Sequence, residues 1–130
     1  MGTYLETRRK LLEQLDISKD IPDLIACWSE FVEECEEGYS WDISEYNNEI
    51  RVRNDLEKLL TNAELLRFQE HQFFVNAVLE IDIRFRKLLH NHYQLLNKDG
   101  WWARGVLKAA GKEYVEYVRK AYGFEISLKE

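Results

Sequence analysis

The chain has 130 residues, about the size of one domain, with 45% hydrophobic and 32% charged side chains, an ordinary balance for a globular protein. One proline and six glycines exclude a collagen-like or linker chain, and they argue against an all-β domain, which needs a turn about every 8–12 residues. The formal net charge of −6 argues against a broad nucleic-acid-binding face. That charge is unevenly spread: Asp20 to Glu49 holds ten acids and no Lys, Arg or His, whereas the other hundred residues hold 14 acids against 18 bases.

The elements read as helices. Thr3 and Glu6 form a capping box that opens a first helix through Leu15, with Tyr4, Leu11, Leu12 and Leu15 inward. Asp20 caps a second helix with Pro22 in its first turn, and Ile21, Leu24, Ile25, Trp28, Phe31, Val32 and Cys35 form the cleanest helical stripe in the chain. Gly38 stops it. After a Tyr39-Ser40-Trp41 loop, Asp42 and Glu45 cap a third helix over about Ile43 to Leu60, weakened in its middle by Asn47, Asn48 and Asn54. Thr61 and Glu64 repeat the capping pattern. They open a long fourth helix (about 63–96), or a pair with a break near Glu70–Gln72, with Phe74, Val78, Ile81, Phe85, Leu88 and Leu89 inward. A turn at Asn97–Gly100 leads to a fifth helix from about Trp101 to Tyr122, closed by Gly123. Gly105 and Gly111 inside it imply close backbone approach to another helix. The expected fold is all-α: a single-domain bundle of about five helices over residues 1–130.

No stretch approaches the roughly 20 apolar residues of a membrane helix, and the charged Met1–Lys10 segment is no secretory signal. The expected compartment is cytoplasmic, with no membrane partner. Cys27 and Cys35 lie two helical turns apart, about 12 Å, too far for a disulfide with each other.

Motifs for chemistry are mostly missing. There is no G-x-G-x-x-G, and Gly100 and Gly105 have P-loop spacing but continue Val106-Leu107. None of His71, His90 and His92 has a Glu three positions earlier, so the di-iron pattern of helical bundles is absent. Glu33-Glu34-Cys35-Glu36-Glu37 resembles the E-E-x-x-E half of the magnesium site of all-α nucleotide pyrophosphohydrolases, but no E-x-x-D follows it. No metal and no cofactor are expected. Arg84 with His90, and Arg86 with His92, resemble the R-x(4–6)-H spacing of small all-α HEPN ribonucleases. That resemblance implies His as general base and Arg on the phosphate charge.

The informative feature is the second helix. Glu30, Glu33, Glu34, Glu36 and Glu37 crowd its last two turns, where each anion opposes the macrodipole by roughly 0.3–1 kcal/mol. Either bases such as Arg51, Arg53 or those of the fifth helix fold against them, or a basic partner protein binds there. Tyr39, Trp41 and Asp42 adjoin these acids, and Tyr and Trp beside acids suit a basic partner. This layout resembles that of the small acidic helical immunity proteins that neutralise bacterial nuclease toxins, in composition alone, with no position carried over. The expected function is therefore non-catalytic binding of a basic protein, most concretely a toxin. The alternatives are a HEPN-like ribonuclease or a homodimer in which Trp101, Trp102, Arg104, Lys108 and Lys112 form a second contact surface. No nucleic-acid partner is expected.

Overall fold

The computed structural model describes residues 2–129. The chain is mostly helical, but it is not all-α: two small two-stranded sheets occur in its second half. Helix α1 (Tyr4–Gln14) opens on the capping box, the Thr3 hydroxyl accepting the Glu6 amide at 3.2 Å while the Glu6 carboxylate accepts the Thr3 amide. Helix α2 (Ile21–Glu37) is capped by Asp20 and ends at Gly38, which takes the left-handed φ of 99°. All of its predicted stripe packs inward, with Ile21, Trp28 and Val32 having no exposed surface.

The predicted third helix is two. Helices α3 (Ile43–Glu49) and α4 (Val52–Leu60) meet at Ile50–Arg51, just after the poor helix formers Asn47 and Asn48. The Thr61 cap moves one residue on: Asn62 accepts the amides of Glu64 and Leu65 and opens α5 (Ala63–Leu66).

The long fourth helix over 63–96 is the largest correction. Phe68 takes an extended conformation (φ −96°, ψ 133°), and α6 (Gln69–Arg86) begins after it. The break lies just before the Glu70–Gln72 alternative, and burial explains it. Leu65 and His71 are both fully buried, yet in an unbroken helix they would point about 120° apart. One extended residue turns both inward, where the Tyr4 hydroxyl bonds His71 Nδ1 at 2.6 Å. At the other end, Leu88 to Gln94 leave the helix. Strand β1 (Leu89–Gln94), rich in His, Asn and Tyr, lies antiparallel to β2 (Gly105–Leu107), with Leu89 opposite Leu107, Gln94 opposite Gly105 and a bulge between.

The predicted fifth helix likewise divides. Its pieces are α7 (Trp101–Arg104), β2, β3 (Ala109–Ala110) and α8 (Lys112–Tyr122). Strand β3 runs parallel to β4 (Ser127–Leu128). The two glycines read as helix-interior are the points of close approach that their presence implied, but to a strand and a loop. A Cβ on Gly105 would stand 2.5 Å from the Leu89 side chain, and one on Gly111 would stand 2.5 Å from the Tyr39 carbonyl oxygen. Leu15 and Tyr122, expected inward, are exposed.

Helix α2 packs on α4 and α6, and one polar group sits between them. Asp82 and Arg53 are both buried and joined by two hydrogen bonds, Arg53 Nε to Oδ1 at 3.0 Å and a terminal nitrogen to Oδ2 at 2.9 Å. Asp82 Oδ1 also accepts Trp28 Nε1–H at 3.0 Å, while the Arg53 guanidinium lies 4.5 Å from the Trp102 ring centre. Three helices thus meet at one carboxylate, and Trp102 covers its guanidinium partner.

Candidate functional site

Because one face of α2 is given wholly to the core, its acids are forced outward. Glu30, Glu33 and Glu37 are exposed, Glu34 and Glu36 half-buried, and no base stands in the last turn. One internal partner exists. Arg84 on α6 grips Glu36 with both ends of its guanidinium, at 2.6 and 3.3 Å, and holds that carboxyl below the usual range. The Lys129 ammonium donates to the Glu36 carbonyl at the same helix end. The bases expected to answer these acids do otherwise: Arg53 is committed to Asp82 and Glu57, and Arg51 makes no ion pair among the described residues. Among the described residues Glu30, Glu33, Glu34 and Glu37 pair with no base.

Beside these acids lies a cleft of about 500 Å³, between the α1–α2 loop, α2 and the α3–α4 junction. Five carboxylates line it, from Asp16, Glu30, Glu34, Glu49 and Asp55, against two bases, Lys19 and Arg51, over an apolar floor of Leu24 and Phe31. That volume lies within the range of a ligand pocket, roughly 300–1,000 Å³. Glu49 is the most perturbed carboxyl there, pushed up to about 7 by burial and then by the Glu34 charge facing it. Burial also raises the Cys35 thiol and the Tyr39 phenol behind this pair, with Glu34 and Glu49 adding to both. The cleft therefore holds its negative charge against its own preference, which a bound cation would relieve. Cys27, at its rim, accepts from Lys19 Nζ at 3.4 Å, and both cysteines are free thiols.

The expected binding residues divide. Trp41 is 55% exposed and free to anchor a partner. Asp42 is exposed but caps α3, accepting the Glu45 amide at 2.9 Å. Tyr39 is a correction: it is fully buried, edge-on to Phe31 and Tyr46, and belongs to the core. Asp16, Glu49 and Asp55 escaped the sequence reading as cleft residues. Glu49 closes the base-free run, which was a usable signal, but nothing local marks Asp16 or Asp55.

The residues of the ribonuclease alternative do not share a helix. Arg84 and Arg86 end α6, whereas His90 and His92 stand on β1. Arg84 is held by Glu36, and Arg86 lies over the Trp101 ring, 3.7 Å from its centre. His90 Nδ1 accepts the amides of His92 and Tyr93 at 3.1 and 3.3 Å. Trp102 is buried, Trp101 half-buried, and Arg104, Lys108 and Lys112 are exposed.

Searches against protein-family models, curated proteins and solved structures gave no match to this chain. Among the described residues no three His, Cys, Asp or Glu are grouped to hold a metal ion, and no helix is long and apolar enough to cross a membrane.

Proposed function

We propose that this protein binds a basic partner protein through the outer side of α2 and the acidic cleft beside it. The most concrete version is neutralisation of a toxin in the cytoplasm, in the manner of an immunity protein. The observation that carries the reading is the excess of unpaired carboxylate. Among the described residues Glu30, Glu33 and Glu37 are exposed and make no ion pair, and the cleft sets five carboxylates against two bases. Like charge so placed opposes folding, and binding a cationic surface relieves it. Trp41 supplies a large exposed ring next to the charges, so steering and anchoring come from neighbouring residues. Blocking would be electrostatic and steric: the glutamates take up the Lys and Arg that the partner uses for phosphate.

The test is the triple variant Glu30→Lys, Glu33→Lys, Glu37→Lys. Native protein immobilised on a column should retain from the host lysate a basic protein that the variant does not. Association should slow as salt rises. That protein, expressed alone, should arrest growth, and co-expression of the native chain should restore it. The variant's melting temperature should be unchanged or higher, since lysines suit a helix C-terminus. A variant that retains the same proteins, or that melts far lower, would overturn the reading.

A further inference from the structure

From Arg84 to Lys112 the chain carries seven Lys or Arg and one acid, Asp99, besides His90 and His92. This segment folds as the end of α6, then β1, α7, β2 and β3. A groove of about 240 Å³ opens on it, with walls that include Arg86, His90, Tyr93, Trp101 and Arg104 and no carboxylate.

The groups in this groove are held in place and left without ionic partners. Among the described residues neither Arg86 nor Arg104 makes an ion pair. Stacking on Trp101 fixes the Arg86 guanidinium, and Arg104, an exposed residue, donates from Nε to the Lys98 carbonyl at 2.8 Å. His90 Nδ1 accepts two backbone amides, so its proton sits on Nε2 as a donor. The His90 ring stacks on Tyr93 at 4.1 Å, and Tyr93 stacks on Phe124 at 4.4 Å. A second opening shares His90 and runs past His92 to Lys108, where Glu125 also lines it.

We infer that this groove binds single-stranded nucleic acid, with Arg86 and Arg104 on phosphates and the His90 ring, on its face away from Tyr93, as the stacking face for a base. Unpaired guanidinium groups interleaved with planar rings are what a flexible strand requires, because every base has a face to stack and every unit a phosphate to neutralise. The groove is smaller than a typical small-molecule pocket, so it suits one unit of a strand better than a whole dinucleotide cofactor. The net charge of −6 does not stand against it, because the acids lie in another segment and the basic track is local. This surface is independent of the acidic cleft, and so is its test.

Fluorescence polarisation with a labelled 12-nucleotide oligouridine RNA, its DNA counterpart and a 12-base-pair duplex reads the binding directly. Both single strands should bind better than the duplex. Neutralising about three phosphates implies a loss of about 20-fold in affinity between 50 and 200 mM salt. Arg86→Gln with Arg104→Gln should weaken binding about tenfold or more. Lys108→Glu, exposed at the second opening, should also weaken it, without touching the Trp101 stack. Glu33→Lys with Glu37→Lys should not weaken it, so the outcome stands apart from that of the basic-partner reading. Equal binding of inorganic polyphosphate, preference for the duplex, or no response to either basic-site variant would overturn the inference. A change in the mass of the protein alone, with no oligonucleotide bound, would instead assign the groove to a second copy of the chain.

Discussion

The acidic stretch of α2 and the basic segment that begins at Arg84 are near opposites in charge, and helix direction separates them further. Both crowd charge at a helix C-terminus, the negative end of the macrodipole. The bases Arg84 and Arg86 in the last turn of α6 agree with that field, whereas Glu33, Glu34, Glu36 and Glu37 in the last turns of α2 oppose it. Selection for stability alone accounts for the first arrangement and not for the second. The surroundings differ in the same sense. The Arg86 guanidinium lies on the Trp101 ring, while among the described residues the exposed Glu30, Glu33 and Glu37 make no ion pair. The helix field thus favours the charges at the end of α6 and opposes those at the end of α2, where Glu36 alone has an ion-pair partner among the described residues.

Both regions rest on the Arg53–Asp82 pair, and removing it breaks the comparison at its root. Asp82→Ala leaves the buried Arg53 guanidinium only its partly exposed Glu57 partner and leaves the Trp28 indole N–H without its acceptor. Breaking one side of a buried pair costs about 3–5 kcal/mol, so the variant should unfold at much lower denaturant concentration. Because Trp28 is on α2 and Asp82 on α6, hydrogen exchange should rise in both helices together. If only one helix loosens, the two regions do not share this support.

Much of the first half was legible, and much of the second was not, for a physical reason. The α2 stripe, the Thr3, Asp20 and Asp42 caps and the Gly38 and Gly123 stops all rest on interactions within a few residues, which a local pattern records. Strand β1 rests on β2, whose nearest residue is eleven positions away, and its Leu89, Tyr93 and flanking polar residues also fit a helix period. The glycines carried the missing information. Gly105 and Gly111 signalled close approach, but the signal does not say whether a helix or a strand approaches. At the site, the run without bases located the acidic helix, while Asp55 and Asp16 joined the cleft through tertiary packing alone. Tyr39 was misjudged because a tyrosine beside a loop acid suits an interface and a core equally well.

A middle-sized effect sharpens the claim that the acidic cleft opposes the fold. The Glu49 carboxyl is raised from its ordinary value near 4.5 to about 7, so the native state holds this proton more tightly than the unfolded chain. Its contribution to stability is then complete below about pH 4.5, is lost as pH rises through about 7, and is constant above that. Glu49→Gln should flatten this part of the pH–stability curve and raise stability at pH 8 by on the order of 1 kcal/mol after allowance for solvent screening. Denaturant melts of native and variant protein at pH 5 and pH 8 measure it. If Gln destabilises at pH 8, Glu49 serves an internal bond and the cleft is not held against its own preference.

The smallest effect is at the seam where the two regions touch. Arg84 and Glu36 are each more than a third exposed, so their pair is worth at most about 1 kcal/mol despite its 2.6 Å contact. Arg84→Gln should lower the melting temperature by only a few degrees, and the difference from native should shrink as salt is raised to 1 M. The same change frees Glu36 and adds one more unpaired carboxylate to the end of α2. If the acids there serve a cationic partner, Arg84→Gln should speed association with a polylysine peptide even as it weakens the fold. A slower association would mean that Glu36 must be held by Arg84 to be useful, and that the seam belongs to the binding surface and not to its border.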